Sequence, residues 1–280
     1  MKIVHSCFSI SCINKTLSFI SPALVILVPV LVTLIAVTFA FVVIPTVSFT
    51  FVHNTFVFYC FVSVQFNYFM AVFTDPNKHQ NTNLLPPNFL QPVEISSPAD
   101  FCVKCQQEKH ERVHHCSICN RCIARYDHHC PWIHNCVGYS NHVYFYRFLV
   151  FAAFGLLYVA LFSTRIFWLA FLSSKRQAFV WPLRFMRPIF LFVFLISVLI
   201  GTSLIGLVSW QTFLMVTNQT TVEFYKNQVA KALHLSDDVP FRSPYDYGYK
   251  QNLSLFFQIS KTRPWWKLLL PIPINQEEVK

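Results

Sequence analysis

Seven of the ten cysteines fall between Cys102 and Cys136, interleaved with His110, His114, His115, His128, His129 and His134. The segment reads C-x2-C-x9-H-C-x2-C-x2-C-x4-D-H-H-C-x5-C. A disulfide framework is the ordinary reading of clustered cysteines. The odd count, the C-x2-C pairs and the histidines at set intervals suit tetrahedral zinc better. Two closed zinc sites need eight donors; six cysteines and two histidines supply them and leave one cysteine over. That cysteine is Cys130, which directly follows Asp127, His128 and His129. A thiol is readily made into a nucleophile, and a neighbouring histidine lowers its pKa or accepts its proton. The aspartate would hold the histidine in one tautomer and stabilise its cation. Thiolates that bind zinc belong in a reducing compartment, so this segment is expected in the cytosol.

The elements that must carry such a site are written in the charge distribution. Only 12% of the 280 residues are charged and 54% are apolar, against about 25% charged in an ordinary soluble domain. No charged residue stands between Lys15 and Asp75, which is room for two membrane spans of about 20 residues each. The expected spans are 17–43, 48–73, 147–171 (with Arg165 inside it) and 188–216. The fold class expected is therefore an all-α membrane protein. Four transmembrane helices carry a cytosolic cysteine-rich, two-zinc domain at 74–146, between the second and third. The N-terminus (1–16) and the C-terminal region (217–280) share its side, and the loop 172–187 lies on the lumenal side. The first apolar stretch is too long for the core of a cleavable signal peptide and reads as a retained span. Pro22 and Pro29 are expected to kink it. The formal charge of +10 is spread over both ends of the spans, so no nucleic-acid partner is expected. The positive-inside rule gives only a weak vote on orientation.

Asp127-His128-His129-Cys130 within its cysteine framework resembles the DHHC family of integral-membrane protein S-acyltransferases, or palmitoyltransferases. The likeness extends to Asn141 and Phe145 after Cys136, and to Thr220-Thr221-Val222-Glu223, which is similar to the family's TTxE motif. Thr74-Asp75-Pro76-Asn77 resembles its DPG motif with asparagine in place of glycine. The C-terminal element Tyr247 to Phe257 has Asn252 at the marked position, and Gln258 stands where the family has glycine.

This resemblance implies two interleaved structural zinc sites: Cys102, Cys105, His115 and Cys122 for one, Cys116, Cys119, His129 and Cys136 for the other. It also implies that Cys130, with His128 as base and Asp127 orienting it, takes a long-chain acyl group from an acyl-CoA such as palmitoyl-CoA. The group then passes to cysteines of membrane-associated target proteins, on the cytosolic face of the Golgi or endoplasmic reticulum. Trp132, Phe145 and Phe148 take positions near the thioester end of the acyl chain. Gly155 leaves room for its terminus. Lys109, Arg112 and His114 are candidate CoA phosphate contacts, with a solvated face or lipid head groups as the competing reading. Thr221 and Glu223 brace the active-site segment and Asn252 anchors the C-terminal segment, against the plainer reading of a helix cap and an amphipathic tail. The competing functions are a catalytically silent, membrane-tethered zinc-binding scaffold and a tethered nucleic-acid finger. The cluster lacks the spacing of base-reading fingers.

Overall fold

The computed structural model describes residues 10–78, 101–109, 111–173, 179–233, 243–260 and 263–274. Cys7, a candidate for acylation by its place near the membrane, lies outside the described residues. Four helices dominate: α1 (Ile10–Thr38), α2 (Thr50–Phe73), α3 (His142–Phe167) and α4 (Met186–Val216). The spans Phe19–Thr46, Thr50–Phe73, His142–Leu172 and Met186–Val216 are long and apolar enough to cross a bilayer. α1 runs unbroken across Pro22 and Pro29. It loosens into a π-helical turn at Phe39–Val43 and then tightens into a 3-10 turn at Ile44–Thr46, where Pro45 ends it. Proline has no amide hydrogen to continue the ladder.

The chain divides into two compact units. One holds residues 26–68 and 146–210. Its core is Ile35, Phe39, Val42 and Val43 packed with Val159, Ile166, Phe190, Val193 and Phe194. His53 hydrogen-bonds the Tyr158 hydroxyl, and its ring meets the edge of Phe162 with centroids 4.7 Å apart. The Phe148 ring lies 5.2 Å from that of Tyr68. A Cβ on Gly155 would approach only Cys60, at 3.8 Å.

The other unit holds 69–145 and 211–280 together with the N-terminal residues. Among its described residues are three antiparallel hairpins: β1 (Phe101–Cys102) with β2 (Gln107–Glu108), β3 (Val113–Cys116) with β4 (Arg121–Ala124), and β5 (His128–Cys130) with β6 (Asn135–Val137). Their tight turns need left-handed backbone, found at Gln106, Asn120 and His134. Two more helices, α5 (Thr221–Leu233) and α6 (Tyr249–Phe257), complete it.

α3 begins five residues earlier than the hydropathy boundary at 147, after a four-residue connection from β6. The Asn141 side chain makes this junction: its Oδ1 accepts from the Gly138 amide at 2.9 Å, and its Nδ2 donates to the Cys136 and Ala71 carbonyls. Gly138 is required here, since a Cβ would lie 2.8 Å from Ile123 and 2.9 Å from the Ala124 carbonyl oxygen.

Candidate active site

Pairing places the metal donors opposite one another. His115 faces Cys122 across β3 and β4, and His129 faces Cys136 across β5 and β6. Successive residues of a strand point to opposite faces, so His115 turns to one cluster and its neighbour Cys116 to the other. The donor atoms of Cys102, Cys105, His115 and Cys122 lie within 4.8 Å of one another, as do those of Cys116, Cys119, His129 and Cys136. His115 Nδ1 stands 3.2 Å from Cys105 Sγ, His129 Nδ1 3.4 Å from Cys119 Sγ, and Cys119 Sγ 3.4 Å from Cys136 Sγ. Tetrahedral donors about 2.0 to 2.3 Å from one ion fall about 3.5 Å apart, so both sets fit a metal ion of this kind. The bridging reading of the cysteines fails, because every cysteine from Cys102 to Cys136 is free.

The same alternation brings His128 and Cys130 together. With His129 turned toward a cluster, His128 and Cys130, at i and i+2 of β5, share the opposite face. His128 Nδ1 donates to Asp127 Oδ2 at 2.8 Å. Burial works against a charge on His128, but Asp127 and Cys130 outweigh it and push its pKa up to about 9. Burial would likewise raise Asp127; the bonds from His128 and the Thr221 amide, with His142 nearby, hold it well below the usual carboxylate range.

Asp127 is gripped from several directions. Its Oδ1 accepts from the Thr221 amide at 2.6 Å and its Oδ2 from the Thr221 hydroxyl at 3.1 Å. Gln211 Nε2 donates to Oδ2 at 3.3 Å, while Gln211 Oε1 pairs with His142 Nε2 at 2.9 Å. The carboxylate therefore sits on the N-terminus of α5, where free amides and the helix dipole favour an anion.

Thr220-Thr221-Val222-Glu223 is also a capping box. The Glu223 carboxylate accepts from the Thr220 amide at 2.8 Å, and the Glu223 amide donates to the Thr220 hydroxyl at 3.3 Å. Glu223 further takes a fork from Arg112, Nε to Oε1 at 2.6 Å and Nη2 to Oε2 at 2.9 Å. The cap and the bracing contact are thus one structure.

Arg112 overturns an expectation. Its side chain is 2% exposed, doubly bound to Glu223, bonded to Asn218 and stacked 4.3 Å over Tyr245. Its fork is filled, so it is a buried strut between the metal domain and α5 and not a phosphate contact. Burial, with the charge of Lys226 adding to it, lowers the pKa of His114 to about 4, and its ring stands beside that of Tyr126. Lys109 remains partly exposed. Breaking a buried ion pair from one side costs about 3 to 5 kcal/mol. Glu223→Ala is therefore expected to lower the thermal midpoint in detergent sharply, whereas Arg112→Met with Glu223→Leu together should restore most of it.

Sequence reasoning missed several residues that hold Cys130 in place. Asn135 Nδ2 donates to the carbonyls of Ala71, Val72 and Thr74, at 3.3, 3.1 and 3.0 Å, capping the end of α2. Asn135 pairs with Cys130 across the hairpin, so the thiol stands one strand away from a helix terminus. Asn77, which stands where the DPG motif has glycine, bonds β4 along its edge through the Cys122 carbonyl at 2.8 Å and the Ala124 amide at 2.9 Å. Asn252, which the sequence already offered as an anchor for the C-terminal segment, donates its Nδ2 to the Val216 carbonyl at the end of α4 and to Asp246. Trp132 stands on the 3-10 turn Pro131–Ile133, 54% exposed, and the Phe145 ring meets His128 edge-on at 5.4 Å. No signal in the sequence marked Gln211 or His142.

Residues 95–228 match the family described as DHHC palmitoyltransferase. Through this segment, a little under half of its length, the chain is similar to the DHHC palmitoyltransferase family. Its relatives include palmitoyltransferase ZDHHC15 of Xenopus laevis, 32% identical over 180 residues that make up 63% of this chain and 48% of the relative. Palmitoyltransferase ZDHHC2 of Mus musculus is 30% identical over 185 residues, 65% of this chain and 45% of that protein. Palmitoyltransferase ZDHHC16A of Danio rerio is 27% identical over 253 residues, 75% of this chain and 62% of that one. The chain thus spans about half the length of the first two. The DHHC tetrad, both metal-donor sets and the capping box all lie inside the matched segment.

Proposed function

We propose that this protein is a protein S-acyltransferase that moves a long-chain acyl group, palmitoyl first among them, from acyl-CoA to Cys130 and on to cysteines of membrane-associated proteins. The observation that carries this reading is the shared face of His128 and Cys130, with His128 held by a buried Asp127 that four donor groups surround.

In the first half-reaction Cys130 gives its proton to His128, and its sulfur forms a bond to the thioester carbonyl carbon. The bond from that carbon to the CoA sulfur breaks, and the CoA thiolate leaves with the proton from His128. In the second, a target cysteine gives its proton to His128 and attacks the acyl carbon. The Cys130 sulfur leaves and recovers that proton. One thioester replaces another at each step, so the energy is nearly balanced and positioning supplies most of the rate. Asp127 keeps His128 in the tautomer that presents its other nitrogen to Cys130.

The two donor sets would hold structural zinc. Each offers four protein ligands and leaves no open position, so the ions stiffen the hairpins and take no part in the transfer. A palmitoyl chain carries about 0.8 kcal/mol per CH₂ when withdrawn from water, which explains a catalyst built among apolar helices. Trp132, Phe145, Phe148 and Gly155 are the residues we assign to the acyl chain, and Lys109 to the CoA phosphates. Zinc thiolates and a transferable thiol favour a reducing side, so the site faces the cytosol of an endomembrane, Golgi or endoplasmic reticulum.

Purified protein incubated with labelled palmitoyl-CoA should acquire hydroxylamine-labile label, and Cys130→Ser should acquire none. Well-folded, metal-loaded wild type that stays unlabelled would refute the enzyme reading and leave the scaffold.

A further inference from the structure

One recess is lined by none of the residues assigned above to acyl transfer or to metal. Met70, Thr74, Lys78, Ser140, Tyr144, Gln258, Pro273 and Ile274 line this solvent-open recess of about 80 Å³. Three of its polar groups lack what they are built to meet. Ser140 is 6% exposed, and its hydroxyl has no hydrogen-bond partner among the described residues. The buried Oε1 of Gln258 has none either. Lys78 is exposed and makes no ion pair among the described residues. Gln258 also occupies left-handed backbone, φ 53° and ψ 46°, at the end of α6. Glycine suits that conformation best, and a longer side chain held there at a cost points to a use for it.

The depth of the recess indicates which ligand reaches it. Thr74 follows the last residue of the second candidate span, and Ser140 precedes the first residue of the third by two. Ile274, on its wall, donates its amide to the Tyr144 hydroxyl at 2.6 Å. The chain leading to that bond exposes Trp265, Trp266, Leu269 and Leu270, the residue types of a membrane interface. The recess therefore opens at the level of lipid head groups.

We propose that it binds the head group of a glycerophospholipid. The phosphodiester would be met by the Lys78 ammonium and the Ser140 hydroxyl, and a donor beyond the phosphate would serve Gln258 Oε1. Serine, ethanolamine, glycerol and inositol head groups carry such a donor; choline does not. This reading is independent of the acyl-transfer chemistry.

Delipidated full-length protein in detergent would be titrated, by native mass spectrometry, with dioctanoyl phosphatidylinositol, phosphatidylserine and phosphatidylcholine, and separately with glycerol phosphate and inorganic phosphate. Inositol and serine lipids should bind more tightly than the choline lipid, and both soluble phosphates weakly. Lys78→Ala should weaken the favoured lipids about five-fold, the effect of one basic residue at a membrane surface. Gln258→Gly should erase their advantage over choline while thermal stability holds or rises. Equal binding of the choline lipid, soluble phosphates that bind as tightly as lipid, or a Gln258→Gly protein that loses stability but keeps its preference would each overturn the proposal.

Discussion

Asp127→Asn is expected to slow acylation of Cys130 by about 10³ to 10⁴-fold, the loss seen when the carboxylate of a nucleophile-base-acid triad becomes an amide. The shape is nearly unchanged, so the effect comes from hydrogen bonding. The carboxylate accepts from the Thr221 amide and hydroxyl, Gln211 and His128. An amide has one oxygen where two oxygens now accept, and its NH₂ would face at least one of these donors. If the NH₂ turns toward His128, the imidazole must offer its lone pair at Nδ1 and carry its proton toward Cys130, which is the wrong tautomer for a base. If it turns toward Thr221, a buried donor at the start of α5 loses its acceptor, at about 1 to 3 kcal/mol. Single-turnover labelling with radioactive palmitoyl-CoA measures the rate directly. Thr221→Val, which removes only the hydroxyl contact and keeps the amide, should lose far less. An Asp127→Asn protein that labels within ten-fold of the wild-type rate would mean that Asp127 has no orienting role.

Removal of metal from the second donor set should abolish labelling altogether. Cys116, Cys119, His129 and Cys136 tie β3, β5 and β6 together, and β5 carries both His128 and Cys130. Structural zinc contributes about 10 to 16 kcal/mol to the folding of small domains, as much as the whole stability of an ordinary one. The hairpins of 101–137 have short strands and small cores, three residues in one cluster and three in the other, so they have little else to hold them. Cys136→Ala should therefore lower bound zinc from about two per chain to about one, expose the 101–140 segment to protease and give no label. Elemental analysis and limited proteolysis on the same sample read both effects. Wild type stripped by chelator should behave alike and regain label when zinc is returned. Full labelling of Cys136→Ala protein at reduced metal content would contradict the structural role.

The donor sets were legible because their partners are close in sequence. C-x2-C pairs and a histidine a short distance on bring ligands together through single hairpins, and composition by itself separates the apolar spans from the cysteine-rich island. The order His128-His129-Cys130 even contains the split of roles, since alternate residues of a strand face opposite ways. TTxE could be read as a capping box from spacing alone.

The remainder was decided by packing across long stretches of chain. Gln211 reaches Asp127 from 84 positions away and Arg112 reaches Glu223 from 111. A lone Arg112 in a basic stretch looks like a phosphate ligand until the fold brings Glu223, Asn218 and Tyr245 around it and excludes water. Asn77 departs from the resembled pattern by one residue, yet its amide joins the edge of β4. Residue types and short spacings determined which atoms are candidates to react and which are candidates to hold metal. The tertiary structure alone decided how they are held, because a buried polar group takes its character from whichever distant donor or acceptor satisfies it.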